Sequence, residues 1–297
     1  MLGGRLSFPR PRAARSGAIA TGCALVGLAV PAVGYAAGPY VSLGDSYTSA
    51  PLVPVPTGNP IGCGRSTSNY PSDVAHVIRP SSFTDVSCGS ATTANMTQPQ
   101  SVPFGGTNPP QFNALSAGDS LVTVGIGGND AGLIGVVEEC VKLDVIRPFG
   151  SACKNHYASA GGDPNVAAVS ATGPKVIAVL QGIRSRAPQA RVVIVGYPDG
   201  LPVNGSNCWP TVPLSSGDIS YINSLEKQLN SVIAHAAGTT ATYVDTFTSS
   251  IGHDACKAPG VAWVNGVVPT SPGYPLHPNQ AGEQNMASRV LAALGPA

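Results

Sequence analysis

Three short stretches carry side chains able to move protons or donate to a developing charge. The first, Gly44-Asp45-Ser46-Tyr47-Thr48-Ser49, follows the apolar run Tyr40 to Leu43. A serine just past a glycine-permitted turn at the carboxyl edge of a sheet is poised to meet a ligand, although most serines so placed only cap a helix. The second, Gly127-Gly128-Asn129-Asp130, follows the run Leu121 to Ile126. Its two glycines permit close backbone approach to a ligand, and the Asn129 amide offers two N–H donors, the kind of group a tetrahedral oxyanion needs. Taken alone, the same four residues also suit an ordinary tight turn. The third is Tyr274-Pro275-Leu276-His277-Pro278-Asn279, which holds a histidine between prolines ahead of a terminal helix. An imidazole there is available as a general base for a hydroxyl. His235 lies late in a helix and faces its C-terminal dipole, and His76 and His156 have no stronger setting.

These stretches must be positioned by the elements around them. Tyr40 to Leu43, Leu121 to Ile126, Arg191 to Val195 and Thr242 to Val244 are short apolar runs that predict buried strands, with Phe83 to Ser87 a weaker fifth. Helical spacing of apolar residues predicts helices between Asn165 and Arg186, between Asp218 and Ala237, and from Gln280 to Leu294, with Asn279 as N-cap of the last. Strands alternating with long helices imply an α/β fold, a three-layer α/β/α sandwich around a central, mostly parallel sheet. Ligands of such sheets bind beyond the carboxyl ends of the strands, where two of the three stretches fall.

In combination the blocks resemble the SGNH or GDSL hydrolases: Gly-Asp-Ser near the start, a glycine, a Gly-x-Asn-Asp and a late histidine, in order, spanning roughly residues 39 to 293. Gly-Asp-Ser-Tyr-Thr-Ser-Ala-Pro and the six-cysteine layout are most similar to the secreted actinomycete esterase and lipase branch. The resemblance implies a flavodoxin-like sandwich and a serine ester hydrolase. Ser46 would be the nucleophile and His277 the base, with Ser46 N–H, Gly89 N–H (in Cys88-Gly89-Ser90) and the Asn129 amide as the oxyanion hole. Attack would form an acyl-enzyme that water then hydrolyses, with no metal and no cofactor. The family's acid would stand three residues before the histidine, where this chain has Tyr274. In the actinomycete branch a main-chain carbonyl replaces it, which implies the Tyr274 carbonyl as the orienter of His277; Asp245 or Asp254 reaching in from elsewhere is the alternative. The expected substrate is a small-molecule or lipid ester. The segment from Ala50 to Pro60, with Leu52, Val53 and Val55, suits either an apolar wall for an acyl chain or a stiff surface loop. Two other readings stay open: a carbohydrate O-acetyl esterase using Trp209 or Trp263 as a platform, and a catalytically silent exported binding protein on the same scaffold.

Composition sets the context. Residues 1 to 37 place Arg5, Arg10, Arg12 and Arg15 before an apolar stretch from Gly17 to Val33 and then Gly34-Tyr35-Ala36, the layout of a secretory signal. Residues 38 to 297 are then one catalytic domain, secreted, monomeric and without a stable membrane span. Losing four arginines and no acids takes the formal net charge from +1 to −3, which leaves no basic surface for nucleic acid. Of seven cysteines, Cys23 belongs to the signal. Cys63, Cys88, Cys140, Cys153, Cys208 and Cys256 can form three bridges, and of fifteen connectivities sequence neighbours suggest 63 with 88, 140 with 153 and 208 with 256. Without a C-x-x-C pair or a Cys/His cluster, zinc is the weaker use of them.

Overall fold

In the computed structural model, which describes residue 3, residues 38–158 and residues 160–295, the strands in chain order are β1 (Tyr40–Gly44), β2 (Phe83–Asp85), β3 (Gln100–Ser101), β4 (Thr107–Asn108), β5 (Leu121–Gly125), β6 (Arg191–Val195) and β7 (Thr242–Val244). The helices are α1 (Ser46–Ser49), α2 (Tyr70–Ile78), α3 (Leu133–Ile146), α4 (Ala152–Tyr157), α5 (Pro164–Arg186), α6 (Ser216–Ala237), α7 (Phe247–Ser250) and α8 (Gln280–Leu294). The expected export segment, residues 1 to 37 with Cys23, lies outside the described residues except for residue 3.

Five strands form a sheet in the order β2-β1-β5-β6-β7, every neighbouring pair parallel, while β3 and β4 make a separate antiparallel hairpin. Alternation along each strand divides the apolar residues between two faces. Tyr40, Leu121, Val193, Val195 and Val244 pack with Tyr70 and Val74 of α2 and Met286, Ala287 and Val290 of α8. Val41, Leu43, Val122, Val124, Val192 and Ile194 belong to the larger core that holds the buried residues of α3, α5 and α6. The result is the helix–sheet–helix sandwich expected of strands buried on both sides.

Helix ends follow their caps. Asp163, Ser215 and Asn279 accept backbone N–H groups at the starts of α5, α6 and α8. α5 is long and apolar enough to cross a membrane, yet Val169, Val176, Leu180 and Ile183 bury its stripe in the larger core. Disulfides join Cys63 to Cys88, Cys140 to Cys153 and Cys208 to Cys256, the neighbour pairing.

β1 is the switch point of the topology: the chain passes to β2 on one side and β5 on the other. Gly44 and Gly125, the last residues of β1 and β5, are register partners, so the loops that follow leave the same edge side by side.

Candidate active site

Ser46 opens the single turn of α1. Asp45, its N-cap, accepts the Tyr47 N–H at 3.0 Å and turns the chain sharply off the sheet. The turn needs Gly44: its φ is +150°, and a Cβ there would lie 2.3 Å from Thr48 Oγ1 and 2.6 Å from the Gly125 carbonyl. Gln111 satisfies both backbone groups of Gly44, at 2.8 and 2.9 Å. Ser46 therefore does not cap the helix; Asp45 takes that task and leaves the hydroxyl free for other work.

The loop before α8 brings His277 across the sheet edge. Its Nε2 lies 2.8 Å from Ser46 Oγ and its Nδ1 lies 2.7 Å from the Pro275 carbonyl. The expected Tyr274 carbonyl is corrected by one residue. Leu276 takes a φ of +59°, and the turn delivers the Pro275 carbonyl to the imidazole, whereas the Tyr274 carbonyl accepts the His277 backbone N–H at 3.2 Å. A carbonyl accepts only, so Nδ1 carries the proton and Nε2 faces the hydroxyl with its lone pair. His277 is buried, and burial lowers its pKa below the ordinary 6.5, partly offset by the Pro275 carbonyl. Neither aspartate reaches it. Asp245 accepts the Thr248 N–H at the start of α7, and Asp254 is held by Lys257 at 3.1 Å and by the Cys256 N–H. Asn265 N–H donates to the His277 carbonyl, and Asn279 bonds to the carbonyls of Ala262 and Trp263, so the loop is pinned on both sides of the ring.

The loop after β5 supplies amide donors. Asn129 Nδ2 donates one N–H to the Ala91 carbonyl at 2.9 Å, which orients the amide and leaves its second N–H available. Asp130 accepts from Thr93 N and Oγ1 and pairs with Lys175, fastening this loop to the residues after Cys88. Gly89 is also corrected. Its N–H donates to the Cys63 carbonyl at 2.9 Å and is thereby committed. The backbone conformation that favours glycine belongs instead to Ser90, with a φ of +63°, and neither Ser90 N–H nor Ser46 N–H has an acceptor among the described residues.

Sequence reasoning missed Tyr197. Its hydroxyl donates to Asp45 Oδ2 at 2.5 Å and accepts the Gly128 N–H at 2.7 Å, tying the serine loop to the asparagine loop. Burial pushes the Asp45 carboxyl up to about 7, against the pull of Tyr197 and the Tyr47 N–H. The usable signal was position, because Gly196-Tyr197 leaves the carboxyl end of β6 as the other two loops leave β1 and β5.

Ser46 and Asn129 open into a pocket of about 680 Å³, part of it open to solvent, walled by Leu133, Ile134 and Val137 of α3, by Leu201 and Ile222, and by Val264 and Leu276. Leu52, Val53 and Val55 are absent from that lining: Val53 is buried elsewhere, and Leu52 and Val55 face outward. Glu226, a buried carboxyl accepting the Gly200 N–H, also lines the pocket. A hydroxyl hydrogen-bonded to an oriented, neutral imidazole, beside amide donors and an apolar pocket, has the parts for nucleophilic acyl transfer.

A model of the GDSL-like lipase/acylhydrolase family matches residues 42–284. The chain belongs to that family. Lipase 2 of Streptomyces coelicolor is 39% identical over 261 residues, covering 86% of this chain and 85% of that one. A lipase of Streptomyces rimosus is 32% identical over 255 residues, 85% of each. Among solved structures, a phospholipase A1 from Streptomyces albidoflavus superposes with a TM-score of 0.70 at 30% identity, covering 87% of this chain and 99% of its own. The extracellular lipase from Streptomyces rimosus gives 0.68 at 28% identity, covering 86% and 99%. This GDSL-like hydrolase is an ester-hydrolysing enzyme.

Proposed function

We propose that this enzyme is a secreted lipase or esterase in which Ser46 attacks the ester carbonyl and His277, oriented by the Pro275 carbonyl, takes the serine proton. The observation that carries the reading is the single line of contacts from the Pro275 carbonyl through the imidazole to Ser46 Oγ, at 2.7 and 2.8 Å. Ser46 N–H, Ser90 N–H and the free Asn129 N–H meet the oxyanion, with Ser90 in place of Gly89. His277 returns the proton to the departing alcohol. It then deprotonates the water that releases the acid from the acyl-enzyme.

The aliphatic pocket supports an acyl chain, hence a lipid ester, as the group held beside Ser46. A sugar platform has less support: His253 covers one face of Trp263, ring centroids 3.6 Å apart, and no tryptophan lines the pocket. Three disulfides and the arginine-headed apolar segment support secretion. One chain contributes every group of the site, so a monomer suffices. The test is labelling by a fluorophosphonate together with hydrolysis of p-nitrophenyl esters from acetyl to palmitoyl. Wild type is expected to label and turn over, with Ser46→Ala doing neither; labelling that persists in Ser46→Ala refutes the nucleophile.

A further inference from the structure

Two loops tied to the active site carry an apolar surface that the chemistry does not use. Leu52 is 65% exposed, Val55 and Ile61 are each 63% exposed, and Phe104 is 91% exposed. They stand on two loops that are fastened together: a Cβ on Gly62 would lie 2.2 Å from the Pro103 carbonyl, and one on Gly106 would lie 3.5 Å from Pro60 Cβ. The first loop is also fastened to the active site, because the Pro51 carbonyl accepts the N–H of Tyr274, whose half-exposed ring packs edge-on against His277.

Two features separate this surface from incidental exposure. Leu52 and Phe104, the most exposed large apolar residues of the two loops, hold φ values of +65° and +63°, a region that disfavours bulky side chains. Strain accepted at two exposed apolar positions marks a use for them outside the fold. The second feature is charge. No Asp, Glu, Lys or Arg occurs from residue 51 to 64 or from 97 to 118, so nothing ionic must be desolvated when these loops leave water.

We propose that the Leu52–Val55–Ile61–Phe104 surface seats the enzyme on a neutral or zwitterionic lipid layer, with the mouth beside His277 facing the layer from which the ester is drawn. The inference deepens the lipid-ester reading and rests on it for its purpose, but the binding is testable without catalysis. A charge-free surface gains its affinity from apolar burial, so binding needs no anionic lipid and survives high salt. A second apolar tip, made by Val145 and Ile146 in the last turn of α3 and by Phe149 just after it, carries Arg147 in its midst; it provides the control.

The experiment is co-sedimentation of the Ser46→Ala protein with phosphatidylcholine vesicles in low and high salt. It is compared with Ser46→Ala carrying L52N/F104N, asparagine being a residue that tolerates positive φ, and with Ser46→Ala carrying Phe149→Ser. Binding is expected in both salts, weakened about tenfold or more by L52N/F104N and unchanged by Phe149→Ser. In the active enzyme, L52N/F104N should leave p-nitrophenyl acetate turnover within about twofold while hydrolysis of vesicle-borne ester falls. Equal binding by the two Ser46→Ala proteins overturns the proposal. So does binding that requires phosphatidylglycerol and vanishes in high salt, or binding lost only with Phe149→Ser. A dimer that L52N/F104N dissociates, with no vesicle binding, would assign the surface to a second copy instead. Wild type inert on every ester while Ser46→Ala still binds vesicles would sink the hydrolase reading and leave the surface standing; the reverse pattern would sink the surface alone.

Discussion

At the scale of residues, the site works by leaving each group one task. Asp45 caps α1, Gln111 occupies the Gly44 backbone and Asp130 fastens a loop, so the Ser46 hydroxyl has His277 as its partner. Because burial lowers the His277 pKa, the imidazole is more than half neutral at the pH where an ordinary histidine is half charged. If His277 is the proposed base, the acid limb of kcat/KM is expected below pH 6.5, and a limb above 6.5 in a pH–rate profile would contradict that role. Asp245→Asn and Asp254→Asn should leave that limb and the rate in place, since their carboxylates serve α7 and Lys257. Tyr197→Phe removes the hydroxyl shared by Asp45 and Gly128. We expect kcat to fall about 10- to 100-fold with KM nearly unchanged, the signature of misplaced donors rather than lost binding.

At the scale of elements, the edge of the sheet carries the design. β1 and β5 end in register at Gly44 and Gly125, which is why loops 77 or more residues apart in sequence meet over one point. The geometry leaves no room for a side chain at Gly44, where even a methyl group would collide with Thr48 and with the neighbouring strand. Gly44→Ala is expected to destabilise the fold by more than about 2 kcal/mol in urea titration, and surviving protein should have lost turnover because Ser46 is displaced. α3 was not visible as an element in the sequence. Its apolar residues serve both the core, through Val136, and the pocket, through Leu133, Ile134 and Val137, so no single helical stripe stands out. The Asn165–Arg186, Asp218–Ala237 and Gln280–Leu294 helices were legible because strong caps or one clear stripe marked them.

At the scale of the whole molecule, acidic groups are buried in and around the pocket wall. Burial and the neighbouring Asp199 push Glu226 up to about 8, against the Gly200 N–H and Lys227. A carboxyl with a raised folded pKa binds protons more tightly in the native state. Its contribution is complete below its unfolded value near 4.5 and is lost as pH climbs through 8. The Tm of wild type should accordingly fall between pH 5 and pH 9 more than that of Glu226→Gln, with the two closest at the acid end. Parallel Tm curves across that range would show that Glu226 is not held protonated by its surroundings.

What the sequence determined by itself was whatever local chemistry encodes: the short apolar runs and helical patterns, the caps, the turn glycines, the cysteine neighbours, and the Gly-Asp-Ser, Gly-Gly-Asn-Asp and His277 stretches. Each depends on residues close together in the chain. Tertiary structure alone decided which carbonyl reaches Nδ1, whether the Gly89 N–H is free, and that Tyr197 bridges two loops. Those outcomes turn on a single residue of register, on the Cys63 carbonyl arriving from another loop, and on a phenol 152 positions from its carboxylate. Hydrogen bonds tolerate displacements of a few tenths of an ångström, whereas one residue of chain spans about 3.8 Å. Sequence spacing can bring the right segment to the site, but only the folded backbone selects the atom.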